Sequence, residues 1–277
     1  MNTHNFSKGK RSRQEDVRAR GQNFYAISNL NSKVERISTG SRNLDDLLGG
    51  GVETKAITEL YGESGSGKTQ LCITLCVMVS QDAALGGLNG SSLVIDTENN
   101  FKVERINSIA QARGFDIQKI SPRIMIATAG DSVSQEHLLQ EVPSIIDKTK
   151  DVKLVVVDSV ISNYRAEFVG RAELPKRQQR LNKFMHELSR LAQTYGVAVV
   201  VTNQIATPPD GIFGDRHIST GGNIIAHCSN YRLQLMRAGR NRIAKIIKSS
   251  YHPEKEALFS IDECGVTDRQ DWFPRSA

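Results

Sequence analysis

The fold is decided by Gly62-Glu63-Ser64-Gly65-Ser66-Gly67-Lys68-Thr69. This stretch fits the pattern G-x-x-x-x-G-K-[ST] at every fixed position, and it separates an apolar run from a helical pattern that starts at Lys68. Glycines in this context let backbone N–H groups converge on a phosphate at the N-terminus of a helix. The sequence therefore predicts a strand–loop–helix unit that binds the phosphates of a nucleotide, with Gln70 in its first helical turn.

Two side chains of this loop are expected to carry chemistry. Lys68 is predicted to reach the β- and γ-phosphates, and the Thr69 hydroxyl is predicted to ligate Mg²⁺. A second magnesium ligand is needed, and Asp158 stands at the end of the apolar run 154–157, where such a carboxylate belongs. The expected substrate and cofactor are therefore ATP and Mg²⁺.

A second pair of carboxylates, Asp96 and Glu98, follows another apolar run. Ligands of open α/β sheets bind at the C-terminal ends of the strands, so both carboxylates are expected to face the nucleotide. Glu98 is the predicted catalytic group, since a carboxylate can orient and deprotonate the attacking water. The alternative for either residue is a cap on the helix that follows.

Strand-like apolar runs alternate with helical patterns over most of the chain, which is typical of an α/β domain. The continuous apolar runs indicate strands buried on both faces, as in a parallel sheet. After Asn230, short strands with little helix between them predict an antiparallel C-terminal extension. The predicted strands are Ala56–Tyr61, Ser92–Asp96, Arg123–Ala127, Lys153–Asp158 and Val197–Asn203, and the predicted helices are Lys68–Ser80, Lys102–Arg113, Ser134–Asp147 and Leu174–Tyr195.

Charge is distributed unevenly. Of the net charge of +6, residues 1–36 hold eight Lys or Arg against three acidic side chains. A basic arm suits attraction to a polyanion, and a solvated disordered tail fits the composition equally well. We predict a basic disordered arm at 1–21, a linker at 22–36 and an ATPase unit at 37–277.

Four cysteines lack the paired spacing of a metal site or disulfide framework. Cys72 and Cys76 lie four apart on a predicted helix, which indicates buried thiols in a reducing compartment. The apolar runs are too short to cross a bilayer, and no secretory signal is expected. The predicted location is the cytoplasm, in association with the nucleoid and not with a membrane.

Together these features resemble the RadA-type recombinases, the archaeal and eukaryotic branch of the RecA family. The resemblance runs from about Ile37 to Phe259 and is closest to the archaeal members. It implies a RecA-like P-loop ATPase fold. The motifs that carry it, besides the phosphate loop, are Ile37-Ser38-Thr39-Gly40, Leu47-Leu48-Gly49-Gly50-Gly51, Gly86-Gly87-Leu88-Asn89-Gly90, Asp96-Thr97-Glu98-Asn99, Asn203-Gln204 and Gly221-Gly222-Asn223-Ile224-Ile225-Ala226-His227.

The resemblance also implies roles for individual residues around the nucleotide. Arg105 would lie against the adenine. Gln204 would sense the γ-phosphate and pass its state to the adjacent loop, and His227 would act across the interface between protomers. Pro253, in the segment that leads to Phe259, would belong to a cap that one protomer lays over the ATP of its neighbour. The implied assembly is a helical filament or ring with nucleotide between subunits.

Two stretches match the DNA-binding loops of the family. The first follows the strand that ends at Asp158, and the second spans 205–220. Arginine suits such loops because its planar fork binds phosphate oxygens in a bidentate manner, and an aromatic side chain supplies a stacking surface. Taken singly, each arginine also fits a solvated surface. The predicted contacts with single- and double-stranded DNA are Arg165, Arg171, Arg177, Phe213, Arg216, Gly221, Gly222 and Asn223.

The sequence departs from the family pattern at three places. Residues 1–36 leave no room for the usual helix-hairpin-helix lobe, for which the basic arm is an electrostatic substitute. In the family, a Phe-x-x-Ala motif inserts its apolar side chains into the next protomer. Phe24 belongs either to a variant of this motif or to a linker with no such role. Lys248 replaces an aspartate that the family associates with a monovalent cation near the γ-phosphate. We predict that Lys248 brings positive charge toward the neighbour's ATP; a solvent-facing lysine is the alternative.

Three functions fit this chain to different degrees. The leading one is an ATP-dependent recombinase that forms a filament on single-stranded DNA and promotes homologous pairing and strand exchange. The second is a recombinase paralogue or mediator that binds ATP and DNA without exchanging strands. A helicase or signalling ATPase on the same core is disfavoured by the two matched loops and by the cap segment.

Overall fold

A computed structural model describes residues 34–206, 218–219 and 222–268. Its main sheet follows the order β12-β11-β10-β9-β3-β7-β6-β4-β5, with β8 paired to β7, and β1 pairs with β2 separately. The strands are β1 Arg36–Ile37, β2 Val52–Glu53, β3 Ile57–Gly62, β4 Ser91–Asp96, β5 Ile124–Thr128, β6 Val152–Asp158, β7 Ala198–Ala206, β8 Ile218–Ser219, β9 Tyr231–Ala238, β10 Asn241–Lys248, β11 Glu256–Asp262 and β12 Gly265–Asp268.

The six strands from β9 through β3, β7, β6 and β4 to β5 are parallel, and β10, β11 and β12 add to β9 in antiparallel pairs. This confirms the predicted α/β class, the mostly parallel sheet and the antiparallel extension. The five strands predicted before residue 230 are all present. β7 extends three residues beyond its predicted end at Asn203, and β1 begins at Arg36, one residue before the predicted start of the ATPase unit.

Helices cover both faces of the sheet. One apolar core contains α1, α2 and α3, and the other contains residues of α5, α6, α7 and α8. The helix predicted at Leu174–Tyr195 is present with those bounds. The helices are α1 Arg42–Leu47, α2 Lys68–Val79, α3 Val103–Ala112, α4 Ile117–Ile120, α5 Ser132–Thr149, α6 Ser162–Glu167, α7 Leu174–Tyr195 and α8 Gly222–Cys228.

The helix after the phosphate loop is the most deeply buried of these elements. Every residue of α2 from Leu71 to Val79 is buried, including Cys72 and Cys76. Burial raises the pKa of Cys76 to about 12 and that of Cys72 well above its ordinary value. The prediction of two buried thiols on this helix is confirmed. An apolar helix buried on all sides holds the phosphate loop at a fixed place against the sheet.

A buried ion pair joins three strands near the site. Glu59 on β3 is fully buried, and its carboxylate lies 2.5 Å from Arg232 of β9. Asn203 of β7 donates a hydrogen bond of 2.9 Å to the same carboxylate. These contacts fix the relative positions of the strand that ends at the phosphate loop and the strand that carries Gln204. Within the described ranges, none of the helices has the length and hydropathy that crossing a bilayer requires.

Candidate nucleotide-binding and catalytic site

The phosphate loop connects β3, which ends at Gly62, to α2, which begins at Lys68. Glycine is required at both ends of the loop. A Cβ on Gly62 would lie 2.2 Å from the carbonyl oxygen of Leu235, and Gly67 has a φ of +107°, where L residues are strained. The predicted strand–loop–helix unit is therefore present, with the helix N-terminus directed at the loop.

A cleft of about 360 Å³ opens at the C-terminal edge of the sheet, above this loop. The strand register explains why separate motifs meet there. Gly62 is paired with Gln204 across β3 and β7, and Asp96 is paired with Asp158 across β4 and β6. The cleft is lined by nine of the predicted site residues: Ser64, Gly65, Gly67, Lys68, Thr69, Gln70, Glu98, Asp158 and Gln204.

Lys68 lies inside the curve of the loop. Its ammonium group donates to the carbonyl oxygens of Gly62 and Glu63, at 2.8 and 2.9 Å. Burial lowers the pKa of Lys68, while the nearby carboxylates of Asp158 and Glu98 oppose this shift. A cation that is partly desolvated and close to the loop backbone is suited to bind phosphate oxygens.

Asp158 presents a carboxylate oxygen that is available for a metal ion. Its Oδ1 accepts a hydrogen bond from the Thr202 hydroxyl, whereas its buried Oδ2 has no hydrogen-bond partner among the described residues. Burial raises the pKa of Asp158, and the hydroxyls of Thr202 and Thr69 oppose the shift. Oxygen ligands from one carboxylate and one hydroxyl are what Mg²⁺ uses when nucleotide phosphates and water complete its shell. The residues present fit the predicted ion.

Glu98 is the centre of a hydrogen-bond network in the cleft. Its Oε1 accepts from the Ser162 hydroxyl at 2.5 Å and from the Gln204 amide at 2.9 Å. Its Oε2 accepts from the Asn100 amide at 3.2 Å. One carboxylate therefore contacts the start of α6, the helix that carries Arg165, and the strand β7 that leads into the second predicted DNA loop.

Asp96 does not line this cleft, and the expectation that it faces the nucleotide is wrong. It is buried, and its two carboxylate oxygens accept from the backbone N–H groups of Glu98 and Phe101, at 3.1 and 3.0 Å. These bonds shape the turn between β4 and α3. The alternative of a helix cap does not hold for Asp96 either, because both N–H groups precede Lys102, the N-cap residue of α3. The role of Asp96 is to set the position of Glu98.

Arg105 lies at the rim of the cleft, beside Gln70. Its guanidinium donates to Gln70 Oε1 at 2.7 Å and to the carbonyl oxygens of Asp262 and Glu263, at 2.6 and 3.3 Å. The side chain is thereby held between α2 and the β11–β12 turn. Contact with an adenine ring remains a prediction for this residue.

Several residues of the site carry no pattern that would predict them from the sequence. Ser162 was overlooked because a lone serine after a strand has no distinctive pattern. Arg242 and Ile261 come from the antiparallel extension and reach the cleft only because β10 and β11 join the same sheet. No local motif identifies such residues, because they reach the cleft only through the pairing of the strands. The missed residues that line the cleft are Asn100, Ser159, Thr202, Arg242 and Ile261.

The predicted DNA-binding arginines lie on the other side of the sheet. Arg165 on α6 and Arg171 in the following turn are exposed, and Arg177 in the first turn of α7 is half-buried. Within the described ranges, none of these three forms an ion pair with a carboxylate, whereas Arg180 lies 3.0 Å from Glu136. The unpaired arginines are available to an external polyanion.

The remaining predicted DNA contacts are only partly described. Gly222 begins α8, and Asn223 on the same helix is exposed. Phe213, Arg216 and Gly221 lie outside the described residues, as do the basic arm and Phe24.

The residues predicted to act on a neighbour's nucleotide do not line the cleft of their own chain. His227 lines a separate cleft of about 680 Å³ between α7 and α8. The Lys248 ammonium donates to the carbonyl oxygens of Ala226, His227 and Ser229, at 2.9, 3.2 and 2.7 Å. The ammonium group is bonded to the end of α8, which neither interpretation of Lys248 anticipated. Pro253 follows in the turn between β10 and β11.

Comparison with known proteins agrees with this geometry. A sequence model of the Rad51 family matches residues 30–269. The chain belongs to the Rad51 family. Among its relatives are two archaeal proteins called DNA repair and recombination protein RadA. The one from Cenarchaeum symbiosum (strain A) is 44% identical over 239 residues, which is 86% of this chain and 60% of that protein. The one from Metallosphaera sedula is 43% identical over 246 residues, which is 88% of this chain and 76% of that protein.

Membership of the Rad51 family confirms the resemblance to RadA-type recombinases. The chain spans 60% of the length of the Cenarchaeum relative, so the activity of that whole protein does not transfer to this chain without a test.

Proposed function

We propose that this chain is an ATP-dependent DNA recombinase that forms a filament on single-stranded DNA and promotes homologous pairing and strand exchange. The observation that carries the proposal is the 2.9 Å hydrogen bond between Gln204 and Glu98. Gln204 lines the phosphate-loop cleft, and β7, on which it lies, leads directly into the segment that matches the second DNA loop. A single side chain thus connects nucleotide chemistry to the DNA side of the sheet.

The reaction at this site is hydrolysis of ATP. Lys68 binds the β- and γ-phosphates through its ammonium, and the loop N–H groups neutralise charge on the phosphates. Asp158 and the Thr69 hydroxyl would hold Mg²⁺, which supplies further neutralisation of phosphate charge when bound. Glu98 orients the attacking water through a carboxylate oxygen and accepts its proton. Arg105 and Gln70 position the base of the nucleotide at the rim.

DNA binds on the opposite side, where three arginines have no carboxylate partner within the described ranges. Arg165, Arg171 and Arg177 provide phosphate contacts without sequence preference. The second loop, which contains Phe213 and Arg216, supplies an aromatic surface for stacked bases together with further positive charge. Gly221, Gly222 and Asn223 end this loop at the start of α8. Such a protein would act on chromosomal DNA, in association with the nucleoid.

Self-association is supported by two surfaces. β5 is an edge strand of the main sheet, and its exposed Ile126 flanks backbone groups that can accept a strand from a second copy. The segment after β10 is held in place because the Tyr251 hydroxyl bonds to Glu53 and Arg36, at 2.5 and 2.7 Å. That segment carries Pro253, which together with His227 would cover a neighbour's ATP.

The test is oligonucleotide strand exchange by the purified chain with ATP and Mg²⁺. Lys68→Ala is the nucleotide-site control, since it removes the cation that binds the phosphates while leaving the fold of α2 intact. We expect exchange with the unchanged chain and none with Lys68→Ala. Circular dichroism of both proteins establishes that the control is folded.

No exchange by a folded chain that binds both ATP and DNA would contradict the proposal. That outcome would identify a recombinase paralogue or mediator, and its partner would then be sought by co-purification with a full-length recombinase.

A further inference from the structure

We propose that Ser162 is a positioning residue that transmits occupancy of the first DNA loop to the catalytic carboxylate of Glu98. The inference rests on the proposed function, because it concerns regulation of the same site. It adds a second connection between DNA and ATP hydrolysis, separate from Gln204.

The contact itself is direct. The Ser162 hydroxyl donates to Glu98 Oε1 at 2.5 Å, and the Gln204 amide donates to the same oxygen at 2.9 Å. A carboxylate oxygen has two lone pairs, so these two bonds occupy Oε1. Oε2 accepts from the Asn100 amide at 3.2 Å and keeps its second lone pair for the attacking water. The orientation of the carboxylate therefore depends on both donors at once.

Ser162 is held in place by the buried side of α6, the helix that it begins. Asn163 donates to the carbonyl oxygen of Ala129 at 3.1 Å and to Gln135 at 3.2 Å. The Tyr164 hydroxyl donates to Glu136 at 2.9 Å, and the ring of Tyr164 is fully buried. With the helix anchored by its neighbours on α5, the serine hydroxyl has a defined direction toward Glu98.

Arg165 lies three residues after Ser162, one turn further along α6, so the two side chains share a face of the helix. Arg165 is exposed and unpaired, and it is the first predicted phosphate contact of the loop. Because α6 has only six residues, a phosphate bound to Arg165 would pull on the same turn that carries Ser162. With Asn163 and Tyr164 holding the helix on α5, a small shift of the serine hydroxyl relative to Glu98 would be enough to change their hydrogen bond. The first loop thus acts on the Ser162 hydroxyl, and the second loop acts on the Gln204 amide. Both groups donate to the same oxygen of Glu98.

The experiment compares ATP turnover with and without single-stranded DNA for Ser162→Ala and Ser162→Thr. Removing the hydroxyl should lower the ratio of turnover with DNA to turnover without DNA by about five-fold or more. Threonine keeps the donor and should restore stimulation. Ser144→Ala, an exposed change on α5, is the matched control and should leave both rates unaltered.

DNA affinity, measured by fluorescence anisotropy with ATP present, should be the same in all of these variants. Unchanged stimulation in Ser162→Ala would overturn the inference. An equal fall in both rates would also overturn it, since this would show a local structural role only. Absence of DNA-stimulated turnover in the unchanged chain is a separate result, which would remove the proposed function and this inference with it.

Discussion

The two faces of the central sheet differ in how their chemistry is encoded. The face covered by α1, α2 and α3 is an apolar core that fixes one contiguous phosphate loop. The face covered by α5, α6, α7 and α8 carries arginines dispersed over α6, the turn after it and α7. Sequence motifs therefore reveal the side with the phosphate loop, whereas the proposed DNA-binding side depends on exposure and on the pairing of charges. The two sides meet at Glu98.

The largest effect on activity is expected from Glu98→Gln, at the residue where the two faces meet. The amide cannot accept a proton from water, so ATP turnover should fall by about 10²- to 10⁴-fold while nucleotide binding is retained. Phosphate release measures turnover, and titration with a fluorescent ATP analogue measures binding. Glu104→Gln, an exposed change of the same kind on α3, should turn over ATP at the unchanged rate. Normal turnover by Glu98→Gln would assign the carboxylate to structure alone.

A second test concerns the buried pair of Glu59 and Arg232, which joins β3 to β9. Arg232→Met leaves the fully buried Glu59 carboxylate without its cation, so the free energy of unfolding should fall by about 3–5 kcal/mol. Urea denaturation followed by circular dichroism measures this loss. Lys183→Met removes an exposed partner of Glu187 on α7 and should cost less than about 1 kcal/mol. Equal losses of unfolding free energy in the two variants would show that burial does not determine how much each ion pair stabilises the protein.

The third test compares a paired and an unpaired arginine on α7. Arg177 has no carboxylate partner within the described ranges, whereas Arg180 is held by Glu136 at 3.0 Å. Arg177→Ala should reduce the slope of log affinity against log salt by about 0.7 on single-stranded DNA, since one phosphate contact is lost. Arg180→Ala should leave that slope unchanged. A change in slope from Arg180→Ala alone would place DNA on the other side of α7.

The same difference between the faces explains what the sequence could predict. Local patterns predict the phosphate loop, the strand that ends at Asp158, the strand that carries Gln204, and α7. Apolar periodicity and glycine spacing are properties of neighbouring residues, so a short stretch of sequence is enough to show them. Ser162 and Arg242 were missed because their contacts join segments that are distant in the chain. Asp96 was misjudged because an acidic residue after a strand looks the same whether it faces a ligand or the backbone.

The smallest expected effects concern Lys248, whose position no pattern could predict. The pairing of β9 and β10 shifts register between Ile246 and Lys248, at the end of β10, and the ammonium there bonds to the last carbonyls of α8. A cation at a helix C-terminus contributes about 0.3–1 kcal/mol, so Lys248→Met should lower the free energy of unfolding by that amount. Lys255→Met, an exposed change in the following turn, should not.

Lys248 also bears on the choice of monovalent cation. If its fixed charge stands near the neighbour's ATP, ATP turnover by the unchanged chain in sodium and in potassium should agree within about two-fold, because the ammonium replaces a bound ion. In Lys248→Met the ion would regain its effect, and turnover in the two salts should diverge. Steep activation of the unchanged chain by potassium would contradict this role and leave Lys248 with the stabilisation of α8 alone. The two measurements therefore separate a contact within one protomer from a contribution to the next.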